Sequence, residues 1–127
     1  MFTLKFYYCT HCGNVVVKAA DHKAPLTCCG EKMVELVPGS TDAATEKHVP
    51  VIAGDGKLVT VFVGEAAHPM EEDHYIEFIA LETTAGVQLA RLAPGDVPQA
   101  TFALADGVSV VAAFEHCTKH GLWVAEA

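Results

Sequence analysis

The chain lacks any run of lysines or arginines. Its 127 residues hold 8 bases against 16 acids, a formal charge of −8 with histidines neutral. That balance argues against nucleic acid or an anionic membrane as a partner. Charged residues are scarce at 19%, while 51% of the chain is hydrophobic, so it can bury a core and is not a disordered tail. No uncharged apolar stretch approaches the roughly 18 residues of a membrane helix. The opening "MFTLKFYYC" has no apolar h-region and no small-residue cleavage site. These absences predict a soluble, cytoplasmic protein. Nor do the cysteines pair off. Five is an odd number, which sits badly with a disulfide framework. In a reducing compartment, grouped thiols more often bind metal or do redox chemistry.

What is there divides into two parts. Residues 1–37 carry short β-like runs, "FTLKFYY" and "NVVVK", wrapped around four cysteines, with no stretch long enough for a core. Modules this small need a metal or disulfides to hold them. "PGS" at 38–40 reads as a linker, and "TDAATE" after it as one helical turn. From residue 49 onward, short β-type runs alternate with turn signals. They cover about 49–53, 57–63, 75–82, 86–93, 99–105, 108–114 and 122–125, with "GDG" at 54–56 as a hairpin turn. Alternation shows in "KLVTVFV" and "YIEFIALE". Seven closely spaced strands with little helix predict an all-β protein whose second part, 38–127, is an immunoglobulin-like antiparallel sandwich. A small barrel is the other arrangement this pattern allows.

Cys9-Thr10-His11-Cys12-Gly13 is a C-x-x-C knuckle followed by glycine, a turn that aims two thiolates at one metal. Fifteen residues separate Cys12 from the adjacent pair Cys28 and Cys29, which Gly30 follows. Four thiolates suit iron or zinc, and thiolate chemistry alone does not separate the two. Neighbouring cysteines cannot both be aimed by an ordinary knuckle, so the site is expected to be distorted.

One cysteine remains, Cys117, and the second part offers His48, His68, His74, His116 and His120. Singly, each has an unremarkable reading: a solvated loop histidine, or a cysteine buried among strands. Cys117 and His120 at C-x-x-H can share a metal or not; the spacing leaves both open. His116 is expected to face away from Cys117, because neighbours in extended chain point to opposite sides. Position adds weight. His48 precedes the first strand, His68 and His74 flank the loop before the third, and Cys117 and His120 form the turn before the last. Such connections gather at the ends of a sandwich. Four imidazoles and one thiolate would fill five positions on a metal and leave a sixth open for chemistry.

"YYCTHCGNVV", "LTCCGEKMVEL", "EKHVP", "HPMEEDHYIEFIAL" and "CTKHGLW", in this order, closely resemble the desulfoferrodoxins, the two-iron superoxide reductases. The resemblance implies a desulforedoxin-like domain over 1–37, with iron on Cys9, Cys12, Cys28 and Cys29, and a catalytic domain over 38–127. There it implies a second iron with His48, His68, His74 and His120 around it and Cys117 as axial ligand. His11, His22 and His116 match no ligand position. By the same resemblance, Lys47 of "EKH" attracts superoxide to the open position. Glu46 is expected to occupy that position in the oxidised resting protein. The implied reaction is one-electron reduction of superoxide to hydrogen peroxide, with a rubredoxin-like donor restoring the electron and a homodimer as the expected assembly. Five thiolates balance one ferric and one ferrous ion, so the loaded chain stays near −8 and an anionic substrate needs a local positive patch. Lys47 is the natural candidate, and Lys119 a second. A dismutase needing no donor, an electron carrier using the tetrathiolate site alone, and a zinc-stabilised binding module are the competing readings.

Overall fold

The computed structural model describes residues 1–41, 43–54 and 56–127. It divides into two compact units, Thr3–Val37 and, with Met1–Phe2 included, Pro38–Ala127.

The smaller unit is built from two-residue strands: β1 (Tyr7–Tyr8), β2 (Val15–Val16), β3 (Thr27–Cys28), β4 (Glu31–Lys32) and β5 (Val34–Glu35). β1 lies between β2 and β5, and β3 pairs with β4, all antiparallel. Only Phe6 and Cys9 are buried among its residues. Burial of Phe6 supplies roughly 3 kcal/mol and the half-buried apolar side chains less each, short of the roughly 1–2 kcal/mol per residue that ordering 35 residues costs. Apolar packing therefore does not hold this unit together.

The larger unit opens with a one-turn helix, α1 (Thr45–His48), and continues through β6 (Pro50–Gly54), β7 (Leu58–Val63), β8 (Ile76–Thr83), β9 (Gly86–Arg91), β10 (Gln99–Ala103), β11 (Val110–Cys117) and β12 (Gly121–Glu126). The seven strands form two antiparallel sheets, ordered β10-β7-β6 and β12-β11-β8-β9. Val59, Val61 and Val63 of β7 and Phe102 of β10 bury against Ile76, Ile79 and Leu81 of β8 and Ala113 of β11. This is the two-sheet sandwich that the turn spacing predicts.

Local chemistry explains most of it. In "KLVTVFV" the three valines face inward while Leu58 and Phe62 stay exposed, a clean period of two. "YIEFIALE" does not keep that period. Ile76 and Ile79, three apart, are both fully buried, because a β-bulge interrupts the β8–β11 ladder between them. β11 runs through Glu115 and His116 to Cys117, three residues beyond the run read from sequence. The expected turn in "TDAATE" is realised later, at Thr45–His48. Asp42 of that stretch, and Asp55 of the expected "GDG" turn, lie outside the described residues. Among the described residues, no helix is long and apolar enough to cross a membrane.

Candidate metal centres

The smaller unit gathers Cys9, Cys12, Cys28 and Cys29 into one cluster. The Cys12 N–H donates to Cys9 Sγ at 3.5 Å, which is the knuckle geometry that C-x-x-C predicts. Cys12 and Cys28 sulfurs stand 3.6 Å apart, and those of Cys28 and Cys29 4.0 Å. The vicinal pair reaches a common point because Cys29 adopts a left-handed backbone, φ 54°, followed by Gly30 at φ 78°. A non-glycine residue there costs about 1–2 kcal/mol, so the turn has a local backbone cost that an ion bridging both sulfurs would offset. Amide donation from Cys12 holds Cys9 down to about 6, while contact with Cys12 and the other thiols pushes Cys29 up to about 12. Four sulfurs this close cannot all ionise unless a cation joins them.

In the larger unit, His48, His68, His74, Cys117 and His120 converge, with all five donor atoms within 4.8 Å of one another. Each arrives from a different piece of backbone. His48 ends α1, His68 lies in the loop after β7, and His74 closes a tight turn bridged to Glu71. Cys117 ends β11, and His120 sits in the turn into β12, where its carbonyl accepts from Trp123 Nε1 at 2.9 Å. The four imidazoles form a closed ring in the order 48, 68, 74, 120. Neighbouring centroids are 4.7, 4.9, 5.0 and 5.0 Å apart and neighbouring planes are 78–85° from each other. Trp123 stacks on His48 at 5.1 Å.

Hydrogen bonding assigns the tautomers. His48 Nδ1 donates to the Ala44 carbonyl and His68 Nδ1 to the Pro69 carbonyl, each at 2.7 Å, because a carbonyl can only accept. Their Nε2 atoms therefore present lone pairs to each other at 3.0 Å. Protonating one would relieve the repulsion, but burial opposes it, lowering His48 and taking His68 down to about 4. His74 Nε2 is buried with no hydrogen-bond partner among the described residues. His120 Nδ1 lies 3.2 Å from His48 Nε2 and 3.9 Å from Cys117 Sγ. Two imidazoles bound at right angles with bonds of about 2.1 Å would hold their nitrogens ~3.0 Å apart. Lone pairs aimed inward, an orphaned nitrogen and that spacing all fit a cation at the centre. Imidazole with one thiolate suits iron, zinc or copper.

Cys117 is fully buried, and burial raises its thiol although the Lys119 and His120 amides favour the thiolate. His116 faces away from it, as strand alternation predicts, with Nδ1 2.9 Å from the Glu77 carboxylate and its ring stacked on Phe78. Glu115 was not legible as part of the surroundings. It is completely buried, neither oxygen has a partner among the described residues, and burial raises its carboxyl well above the usual range. Glu46 and Lys47 are exposed on α1, and both charges act on His48; the Lys119 charge acts on His74. Gly64 was also missed. Its N–H donates to Val49 O at 3.1 Å, and the next two amides, of Glu65 and Ala66, donate to Glu46 O at 2.6 and 2.9 Å. That loop straps α1 down, and nothing in the local sequence announces it.

The chain is similar to known proteins over most of its length. The chain is 44% identical over 123 residues to the desulfoferrodoxin of Nitratidesulfovibrio vulgaris, covering 97% of this chain and 96% of that one. It is 44% identical over 121 residues to the desulfoferrodoxin homolog of Archaeoglobus fulgidus, covering 94% of each. The crystal structure of the superoxide reductase from Treponema pallidum superposes with a TM-score of 0.83 at 35% identity, over 98% of this chain and all of that one. The one-iron superoxide reductase of Giardia intestinalis matches at TM-score 0.54 and 30% identity, over 65% of this chain and 97% of its own. The family profile described as desulfoferrodoxin matches residues 40–126, and the chain belongs to that family.

Proposed function

We propose that the protein is a superoxide reductase, adding one electron and two protons to superoxide to give hydrogen peroxide. The observation that carries this is the closed ring of four imidazoles with Cys117 beside it. These five donors would hold one ion, one more donor than the four a structural zinc site uses, and a redox metal held there would supply the electron chemistry. Iron, when bound there, supplies the electron. His48, His68, His74, His120 and Cys117 are its ligands, and Cys9, Cys12, Cys28 and Cys29 hold a second iron in a desulforedoxin-like domain over 1–37. Residues 38–127 form the catalytic domain.

The remaining chemistry belongs to side chains on α1. Lys47 gives an exposed positive charge next to a ligand in a chain of net charge −8, so it draws the anion and hydrogen-bonds it on arrival. Water ordered by Lys47 brings the protons. Glu46, beside it, is the carboxylate that would serve as a further ligand in the oxidised resting protein. Cys117 contributes a negative charge from a dry environment, raising electron density at the ion it binds. A rubredoxin-like protein is the electron donor. Five free cysteines suit a reducing cytoplasm, and a smaller unit with two buried residues suits burial of a further face in a homodimer.

Metal analysis with anaerobic mixing tests the reading. Two irons with two distinct visible spectra are expected, and the reduced protein should yield one peroxide per superoxide consumed with no oxygen evolved. Zinc in the histidine site, or oxygen evolution sustained without a donor, would overturn it.

A further inference from the structure

The β8–β11 ladder changes register next to Cys117. His116 pairs with Phe78, yet Cys117 pairs with Ile76, so Glu77 is an extra residue in β8. At such a bulge two residues of one strand oppose one of the other. Here both Glu77 and Phe78 meet His116, whose Nδ1–H donates to Glu77 Oε1 at 2.9 Å and whose ring lies at 8° to the Phe78 ring, 5.6 Å away. The His116 side chain is 4% exposed and that of Glu77 34%. On the far side of the bulge, Leu92 N, just past the end of β9, donates to Glu77 O at 2.9 Å, so the extra residue is held from both sides.

Two donors of the histidine site depend on this irregularity. The bulge restores inward parity, so that Ile76 and Ile79 both reach the core and Cys117 lies opposite Ile76. Just beyond, Thr118 N donates to Tyr75 O at 3.0 Å and Tyr75 N to Thr118 Oγ1 at 3.1 Å. His74 immediately precedes Tyr75. Were the bulge to relax, Cys117 would pair with Glu77, and His74 would move by one residue along the strand, about 3.3 Å. Metal–ligand distances tolerate only about 0.2 Å.

We propose that the Glu77–His116 hydrogen bond is a positioning clamp, which locks the one register of β8 against β11 in which His74 and Cys117 face the same ion. The inference rests on the reading of these residues as iron ligands. Neither residue touches the ion; both act through the strand pairing.

The test uses the iron-loaded full chain. Glu77→Ala and His116→Phe remove the bond, whereas Glu77→Gln keeps an acceptor for the His116 N–H. In both bond-deleting variants the Cys117-to-iron absorption should shift and weaken, against the tetrathiolate spectrum of the same sample as internal reference. Amide exchange across residues 74–79 and 114–118 should rise about tenfold, the ratio a hydrogen bond to a charged group commonly carries. Glu77→Gln should restore both readings toward those of the unaltered protein. An unshifted absorption in Glu77→Ala and His116→Phe overturns the proposal, as does a Glu77→Gln protein as perturbed as Glu77→Ala. If Glu77→Ala does not fold, His116→Phe carries the comparison; if neither folds, the pair is a folding element and the proposal fails. Cys117→Ser separates the layers. If that variant keeps the absorption, the ligand assignment has failed; if it loses the absorption and Glu77→Ala does not shift it, only the clamp has.

Discussion

Gly64→Ala offers a test whose magnitude can be worked from the structure. Gly64 sits at φ +71°, and a Cβ there would lie 2.5 Å from Glu46 O and Lys47 C and 2.7 Å from Lys47 Cα. Carbon contacts are comfortable only at about 3.5 Å or more, so α1 or the strap must give by roughly 1 Å. The left-handed backbone costs an alanine about 1–2 kcal/mol. Displacing the strap weakens three hydrogen bonds, from Gly64 to Val49 and from Glu65 and Ala66 to Glu46, at about 0.5–1.5 kcal/mol each. With partial relaxation, a loss of about 2–4 kcal/mol is expected. Because α1 carries Lys47 and His48, the rate with superoxide should also fall at least about tenfold, a misplacement of about 1 Å being worth up to a hundredfold. Urea unfolding of the iron-loaded chain reads the first effect through Trp123, the sole tryptophan, which stacks on His48. Gly107→Ala is the control, at φ +80° with open space where the Cβ would go. A Gly64→Ala protein within about 0.5 kcal/mol of that control, reacting at the unaltered rate, would refute the argument.

Three further outcomes follow from the two clusters. Cys28→Ser should strip the smaller unit of its metal and unfold residues 3–37, seen as loss of exchange protection there, while pre-reduced protein still reduces superoxide. Cys117→Ser should abolish the thiolate-to-iron absorption of the histidine site and most turnover; an unchanged spectrum would remove Cys117 from the ligand set. Lys47→Ala should lower the second-order rate about tenfold and flatten its salt dependence, Lys47→Arg should retain most of it, and Lys119→Ala should show a smaller loss. Pulse-radiolysis rates across a salt series decide among them, and an unaltered rate and salt slope for Lys47→Ala would rule out its role in steering.

How much of this was legible depended on how far each interaction reaches along the chain. "KLVTVFV" could be read directly, because one buried face imposes a period of two on six consecutive residues. "YIEFIALE" looked equally regular and is not, since its bulge is fixed by Glu77 meeting His116 across 39 positions. The same long reach hid the end of β11. Glu115 and His116 look like loop residues, yet both are buried: burial raises the Glu115 carboxyl, and His116 is paired with Glu77. The donors were readable for the opposite reason. Histidines and cysteines placed in connections, beside short motifs, carry their chemistry in their identity. What identity could not give was the imidazole ring order, the tautomers and the strap from Gly64, all of which arise from backbone carbonyls and amides with no side-chain signature.

The two clusters differ in what holds them before any ion arrives. Around the histidines, the sandwich core, the two carbonyls on His48 and His68, the Trp123 bond to His120 O and the Tyr75–Thr118 pair fix every donor independently. Binding there meets a nearly finished site, because these contacts position the donors without relying on the ion. Around the cysteines, two buried residues and five two-residue strands fix little, so most of the binding energy is consumed in ordering the chain. A preorganised site can be tuned by its surroundings, since ligand distances do not relax to suit the ion. A site that folds around its metal takes up the geometry that the metal prefers. Substitutions outside the ligand set should therefore alter reactivity in the larger unit and, in the smaller one, mainly whether residues 3–37 fold at all.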